Sequence, residues 1–401
     1  MLGIKTYPVN AEIYLNNELQ KGTSPLYLND LAPNTYSVRV AMQGYFPWTK
    51  NLEVRSRAST LAYDITLFKQ SKPQLLADGH INAYAFDRTG AHLAVVRNAQ
   101  TIEIFSAEGE KQDTLYTAPG KNLQQVNISW SANDSYILVE NLALPSASFV
   151  IPTDKKRPLQ TTAGLAGALL LHPRLDNSDN ETLYGIAGGQ LIKISLRSLD
   201  INILQKTIQS FEMTPLGVIA LNQTTEGIEV LRFTNRLILR PAEKLSTLPQ
   251  GTYTILPGSI QGIIAITNTT TNKILLLDTK DTSRPFVELN AKNGTFGNGA
   301  KNEVFFAAGE DEVNVFDFTK GQSTLLGRYG KAPSAALPIY NTPYYLLYID
   351  GELRITELDD RDKRNTITIV SDPSISNISI DGLSKKIFYT SSAGLFALEI
   401  Q

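Results

Sequence analysis

Short apolar runs and stretches that alternate with a period of two recur between turn formers along the chain, and helical periodicity is nearly absent. Within the first seventy residues the pattern marks strands at 11–15, 26–28, 36–40, 52–54 and 61–67. Tyr36, Val38 and Val40 share one face while Ser37 and Arg39 share the other, as expected of a sheet with one wet side. Reversals fall between the strands. Asn16-Asn17 suits a tight hairpin because Asn tolerates positive φ, and Asn29-Asp30 and Pro33-Asn34 supply further turns. These features predict a small antiparallel β-sandwich over residues 1–69.

The polar stretch Lys69-Gln70-Ser71-Lys72-Pro73 separates this region from a second one at 70–401. There a unit recurs: a strand, a turn, a very apolar strand, an alternating strand and a polar edge strand. Its first copy includes 83–96 and 101–105, its second 128–139. Looser copies follow at 183–196, 217–233, 263–278, 304–318, 344–358 and 387–400. Four strands per roughly 40–45 residues is the pattern of a propeller blade, giving about eight blades, or seven if the irregular stretch 211–248 is not a blade of its own. The last copy stops after its third strand. Residues 73–77 precede the first full copy and are the natural donor of the missing strand, which would close the ring and remove its open edges. The predicted class is therefore all-β: a sandwich followed by a β-propeller.

The order of motifs in the first region resembles a PEGA domain. Pro8-Val9-Asn10-Ala11 leads into Glu12-Ile13-Tyr14-Leu15; then come Gly22-Thr23-Ser24-Pro25-Leu26, Leu31-Ala32-Pro33-Asn34-Thr35-Tyr36 and Gly44-Tyr45-Phe46-Pro47-Trp48. Two departures stand out: Pro-Glu-Gly-Ala becomes Pro8-Val9-Asn10-Ala11, and the usual Pro-Gly becomes Pro33-Asn34. Asn can take left-handed turn positions, so both changes suit the fold. The resemblance implies a non-catalytic module common in bacterial cell-surface proteins. In the second region Phe86-Asp87-Arg88-Thr89-Gly90, Trp130-Ser131-Ala132-Asn133-Asp134 and Ile380-Asp381-Gly382 resemble the turn of TolB-like and WD40-like bacterial propellers. Gly22, Gly44, Pro25, Pro47, Tyr45 and Trp48 are read as scaffold, with Tyr45 and Trp48 covering one end of the sandwich.

Composition narrows the chemistry. The 401 residues carry 37 Lys+Arg against 39 Asp+Glu, no Cys and three His. Near-neutral charge without a basic patch argues against nucleic acid as a partner. Zero cysteines remove thiolate metal sites, iron–sulfur clusters, thiol nucleophiles and disulfides together. No Gly-x-Ser-x-Gly with a helical α/β domain is present, and Ser379-Ile380-Asp381-Gly382 lacks the spacing and Trp of a sialidase repeat, so it reads as a turn. His80, His92 and His172 show no His-x-x-x-His spacing, and His92 reads as a capping or surface residue beside a turn. The loop Asp176-Asn177-Ser178-Asp179-Asn180-Glu181 offers hard oxygens but no central Gly of a calcium loop. The segment 294–299 has three glycines without a phosphate-binding spacing and reads as a blade connection. Asp359-Asp360-Arg361-Asp362-Lys363-Arg364 mixes both signs and reads as a solvated tip. No catalytic, cofactor-binding or metal-binding residue is assigned, and no cofactor is expected.

The apolar runs fall far short of the roughly 18 residues a spanning helix needs, and the first residues already read as a strand. We expect a native N-terminal signal or anchor to be missing from this chain, with the membrane involved only through it. The expected function is non-enzymatic: an extracytoplasmic or cell-surface binding or scaffold protein whose propeller face meets a protein or glycan partner. The alternative is a glycan-active propeller with Asp/Glu acid and base groups near the central axis.

Overall fold

A computed structural model of the chain describes residues 1–117, 122–176, 178–179, 181–215, 217–233, 242–260, 262–281, 286–298, 303–331, 333–383 and 385–401. It divides into two compact units. The first joins Met1–Gln74, Gly294–Tyr389 and Phe396–Gln401; the second holds Leu75–Asn293 and Thr390–Leu395.

In the first unit the N-terminal strands are β1 (Leu2–Tyr7), β2 (Glu12–Leu15), β3 (Glu18–Thr23), β4 (Leu26–Leu28), β5 (Asn34–Ala41), β6 (Trp48–Val54) and β7 (Thr60–Thr66). They form two sheets, β4-β1-β7 and β3-β2-β5-β6. The alternating inward residues Leu2, Ile4, Ile13, Val38, Val40, Trp48, Leu52 and Val54 meet in one core between them. The β2–β3 hairpin turns on Asn16 and Asn17 at φ 51° and 68°, and Asn10 sits at φ 68°. One pair departs from the expected antiparallel pattern: β1 and β7, the first and last strands of the sandwich, run parallel. Parallel neighbours need a long crossover, and the other sandwich strands provide it. The pairing slips midway: Ile4 faces Ala62 but Thr6 faces Ile65, so Tyr63 and Asp64 together oppose Lys5. Such a bulge is unusual between parallel strands.

The remaining strands form eight four-stranded antiparallel sheets among the described residues. The first comprises Ile81–Phe86, His92–Arg97, Thr101–Ser106 and Lys111–Thr117. Five more span 126–161, 170–205, 208–248, 253–290 and 293–328, and a seventh spans 335–371. The stretch 208–248 is thus a sheet of its own. The eighth sheet takes 376–380, 386–391 and 394–399 and ends on β8 (Gln74–Asp78), the strand expected as donor. Within the second unit Gly79 N–H donates to Ala393 O at 3.2 Å. A Cβ on Gly394 would fall 2.2 Å from Ala77 O, so only glycine admits this approach.

Cores lie between consecutive sheets, the packing of propeller blades. In the second unit Ala94, Ile104, Ile137 and Phe149 pack across sheets one and two, Leu138, Leu170 and Ile192 across two and three. Tyr184, Leu191, Phe211 and Met213 join sheets three and four, and Ile219, Val230, Ile264 and Ile266 join four and five. In the first unit Phe306, Val313, Tyr345 and Leu347 join sheets six and seven. Leu346, Leu353, Ile387 and Leu398 join seven and eight, with Phe68 in the same cluster. The chain passes between cores in one residue: Leu67 is buried in the sandwich, Phe68 among the last sheets.

Helix is confined, among the described residues, to Thr162–Ala166 and a single 3₁₀ turn at Pro145–Ala147. No described helix is long and apolar enough to cross a membrane.

Candidate functional site

Alternation along β6 buries Trp48, Lys50, Leu52 and Val54, so an ammonium stands on the apolar face of a strand. Its side chain is 0 % exposed and pairs with Glu357, itself 4 % exposed, at 2.9 Å. The remaining Lys50 donors reach Asp359 O at 2.8 Å and Asp359 Oδ2 at 3.4 Å. Glu357 is equally well served: Trp48 Nε1 donates to its Oε1 at 3.1 Å and Asn365 Nδ2 to its Oε2 at 2.8 Å. A buried ion pair is tolerated only when each lone pair and proton has such a partner.

The loop after the third strand of the seventh sheet completes the contact. β6 is the edge of its sheet, and edge strands leave a row of N–H groups open. Asn51 N–H donates to Asp362 Oδ2 at 2.9 Å and Thr49 N–H to Asn365 Oδ1 at 3.5 Å. Arg361 grips both oxygens of Asp359 and donates through Nη1 to Leu61 O at 2.9 Å. Burial disfavours the charged form of Asp359, but its bonds to Arg361 and the nearby Lys50 outweigh that and hold its carboxyl below the usual range. The run 359–364, expected to be a solvated tip, therefore docks the sandwich. Its mixed signs match the sandwich edge, with acids for Lys50 and the open amides and an arginine for a carbonyl. An apolar contact and a backbone hydrogen bond reinforce it: Phe68 meets Tyr344 edge to face at 5.0 Å, and Phe46 N–H donates to Phe68 O at 2.8 Å.

Beside this junction, still within the first unit, opens a cleft of about 580 Å³. Its walls are the bulged stretch of β1 and β7, with Lys5, Tyr7, Tyr63 and Asp64, and the turns of the last two sheets, with Tyr340, Asn341, Leu383 and Lys385. The bulge sets Lys5 opposite two side chains at once, and Tyr63 lies across Gly3, where a Cβ would meet its ring at 2.9 Å.

Apart from Trp48 and the run 359–364, the residues singled out in the sequence lie outside the junction. His92 Nδ1 sits 2.7 Å from Asp87 Oδ2 and helps to close a turn. The Asp87 carboxyl is held low: burial opposes ionisation, while His92, Thr89 and the Ala91 amide favour it more. His172 stands at φ 49°, with Nδ1 3.7 Å from Glu140 Oε1. Arg174 Nη1 lies 3.0 Å from Glu140 Oε2, and its Nε lies 3.6 Å from Glu212. His80 lends its carbonyl to Asn98 N–H. In the acidic loop Asp176 accepts the Ser178 and Asp179 amides; Asn177 and Asn180 lie outside the described residues. No described group of three or more His, Asp or Glu is placed to hold a metal ion. The glycine-rich segment is the first strand of the sixth sheet (Asn293–Asn298), not a connection. Gly297 is small because a Cβ there would lie 2.1 Å from Pro338; Gly299 lies outside the described residues. Asp381 accepts the Lys385 and Lys386 amides, as the predicted turn requires.

Sequence reading missed the junction and the cleft. A signal for the first was present: period two places Lys50 among Trp48, Leu52 and Val54, and a lysine on an apolar face needs a buried acid.

The fold defines the class: a small sandwich joined to a β-propeller. Residues 1–71 match the PEGA domain. Dihydro-heme d1 dehydrogenase NirN in complex with DHE is similar with a TM-score of 0.59 and 7 % identity, over 79 % of this chain and 72 % of that one. Saccharomyces cerevisiae Sqt1 is similar with a TM-score of 0.54 and 7 % identity, over 82 % and 98 %. A eukaryotic initiation factor gives a TM-score of 0.54 and 12 % identity, over 83 % and 91 %. At such identities the likeness shows the propeller fold alone. No curated protein matches the chain. A PEGA domain followed by a propeller fits a binding or scaffold role.

Proposed function

We propose that the protein is an extracytoplasmic binding or scaffold protein in which the PEGA module and the last propeller sheets act as one platform for a protein or glycan partner. The buried Lys50–Glu357 pair carries this reading. A module tethered only as a spacer has no use for a lysine sealed into its neighbour, whereas a shared binding surface needs its two halves fixed. PEGA domains are typically extracellular or periplasmic, which supports the location.

The enzymatic alternative fares less well. Glycoside cleavage requires one carboxyl held protonated beside a second. The carboxyls of the buried Asp87 and Glu140 and of the partly buried Asp359 are shifted the other way, towards the charged form. For Glu140 burial works against the charge, but His172, Arg174 and Asn127 overcome it.

Fractionation of cells expressing the native gene tests the proposal, with a photo-crosslinking residue at Tyr340. We expect the protein in the extracytoplasmic fraction and a discrete cross-linked product. A cytosolic protein giving no product would overturn it.

A further inference from the structure

We infer that the cleft between β1/β7 and the turns of the last two sheets binds an anionic sugar, an inference that rests on the binding role proposed above. Its size lies within the usual range for small-ligand sites of roughly 300–1,000 Å³. Three features select the ligand. Lys5 and Lys385 line it from opposite walls, and among the described residues neither ammonium has a carboxylate within ion-pair distance. Nearby negative charge is limited: Asp64 is the one acidic side chain in the lining, and Gln401 O is taken by Lys69 Nζ at 3.0 Å. Two lining tyrosines are half open, Tyr7 at 59 % and Tyr340 at 49 % exposure. Their rings offer flat apolar faces for the C–H side of a pyranose, and the Tyr7 hydroxyl can bond its rim. Asn341 in the same wall adds amide donors and an acceptor for sugar hydroxyls.

The bulge is the device that builds the site. A regular β1–β7 ladder would set one β7 residue against Lys5; the extra one brings both Tyr63 and Asp64 to that wall. A neutral sugar leaves two ammoniums against the single carboxylate of Asp64, and a purely acidic peptide leaves the tyrosine faces without a ring. A sugar bearing carboxylate or phosphate satisfies both.

Calorimetry on the full chain tests this with four probes: tetragalacturonate, glucose 6-phosphate, neutral maltotetraose and tetraglutamate. We expect one of the two anionic sugars to bind at least about tenfold more tightly than maltotetraose or tetraglutamate, which of the two binds identifying the source of the charge. Replacing both lysines (Lys5→Ala with Lys385→Ala) should lower that affinity at least about tenfold, since a hydrogen bond to a charged group is lost on each wall. The thermal midpoint should not move, because both side chains are exposed. Failure of both anionic sugars to bind, equal binding of tetraglutamate, or unchanged affinity in the double variant would overturn the inference. None of these results would touch the extracytoplasmic location or the cross-linked partner, so the broader proposal stands or falls separately.

Discussion

The first and seventh sheets of the propeller close the same turn in different ways. In the first, Asp87 N–H donates to His92 O at 2.9 Å, and the Asp87 carboxylate accepts the Ala91 amide and the Thr89 hydroxyl. Ser131 and Asp381 occupy the equivalent places in the second and eighth sheets and use their side chains likewise. In the seventh the equivalent bond runs from Ile339 N–H to Tyr344 O at 3.1 Å, but the residue is isoleucine and 0 % exposed. There the turn is fastened from the other side, by the Thr342 hydroxyl donating to Ile339 O at 2.9 Å. Ile339 is free to join the cluster that holds Phe68 and, at its margin, Phe46. A repeated turn has given up its polar cap where a neighbouring module covers it.

The sharpest way to break this contrast is to restore the cap. Ile339→Asp would place a carboxylate in a closed apolar cluster, and we expect a loss of about 4 kcal/mol or more in chemical denaturation of the full chain. A loss below about 1 kcal/mol would mean that the seventh turn is as open as the first.

Cutting the ion pair comes next. Lys50→Met leaves Glu357 and Asp359 without their buried cation, and we expect destabilisation of about 3 kcal/mol or more. Trp48 donates to Glu357 and, in a Trp130→Phe background that leaves it the one tryptophan, reports the same contact by its fluorescence. Combining Lys50→Met with Glu357→Leu should recover part of the loss, because the cost arises from an unpaired buried charge rather than from absence of the pair. No recovery would show that shape, not charge, holds the module.

These tests bear on what was legible in the sequence. Strands and turns were readable because they are local: alternation reveals a half-buried strand, and Asn16-Asn17 or Asp87 with Gly90 reveals a reversal. The donor strand β8 was readable because the last repeat lacks a strand. The junction was not, because its partners lie 309 positions apart, from Trp48 to Glu357. The run 359–364 has the composition of an exposed loop in any context, and only the strand edge it meets gives each charge a task. The cleft is further from reach, since it depends on one extra residue in the pairing of β7 with β1. Alternation within either strand carries no record of that slip.

The mildest test is acid. Asp87 closes a turn of the first sheet and Asp359 holds the docked module; both carboxyls titrate below the usual aspartate value when folded. Where the folded state binds its proton less readily than the unfolded chain, stability is fully present above the unfolded value near about 3.9 and drains away as pH falls towards the folded value. The denaturation midpoint should therefore show little contribution from these groups between about pH 7 and 5, and should decline below about pH 4. Asp87→Asn and Asp359→Asn should each flatten that decline while lowering the midpoint at neutral pH. With Asp359→Asn the flattening should appear in the Trp48 signal, since both residues contact Glu357 or Lys50. If Asp87→Asn altered the Trp48 signal as strongly as Asp359→Asn did, the turn and the junction would be unfolding together, and the contrast between the two sheets would be one of packing alone.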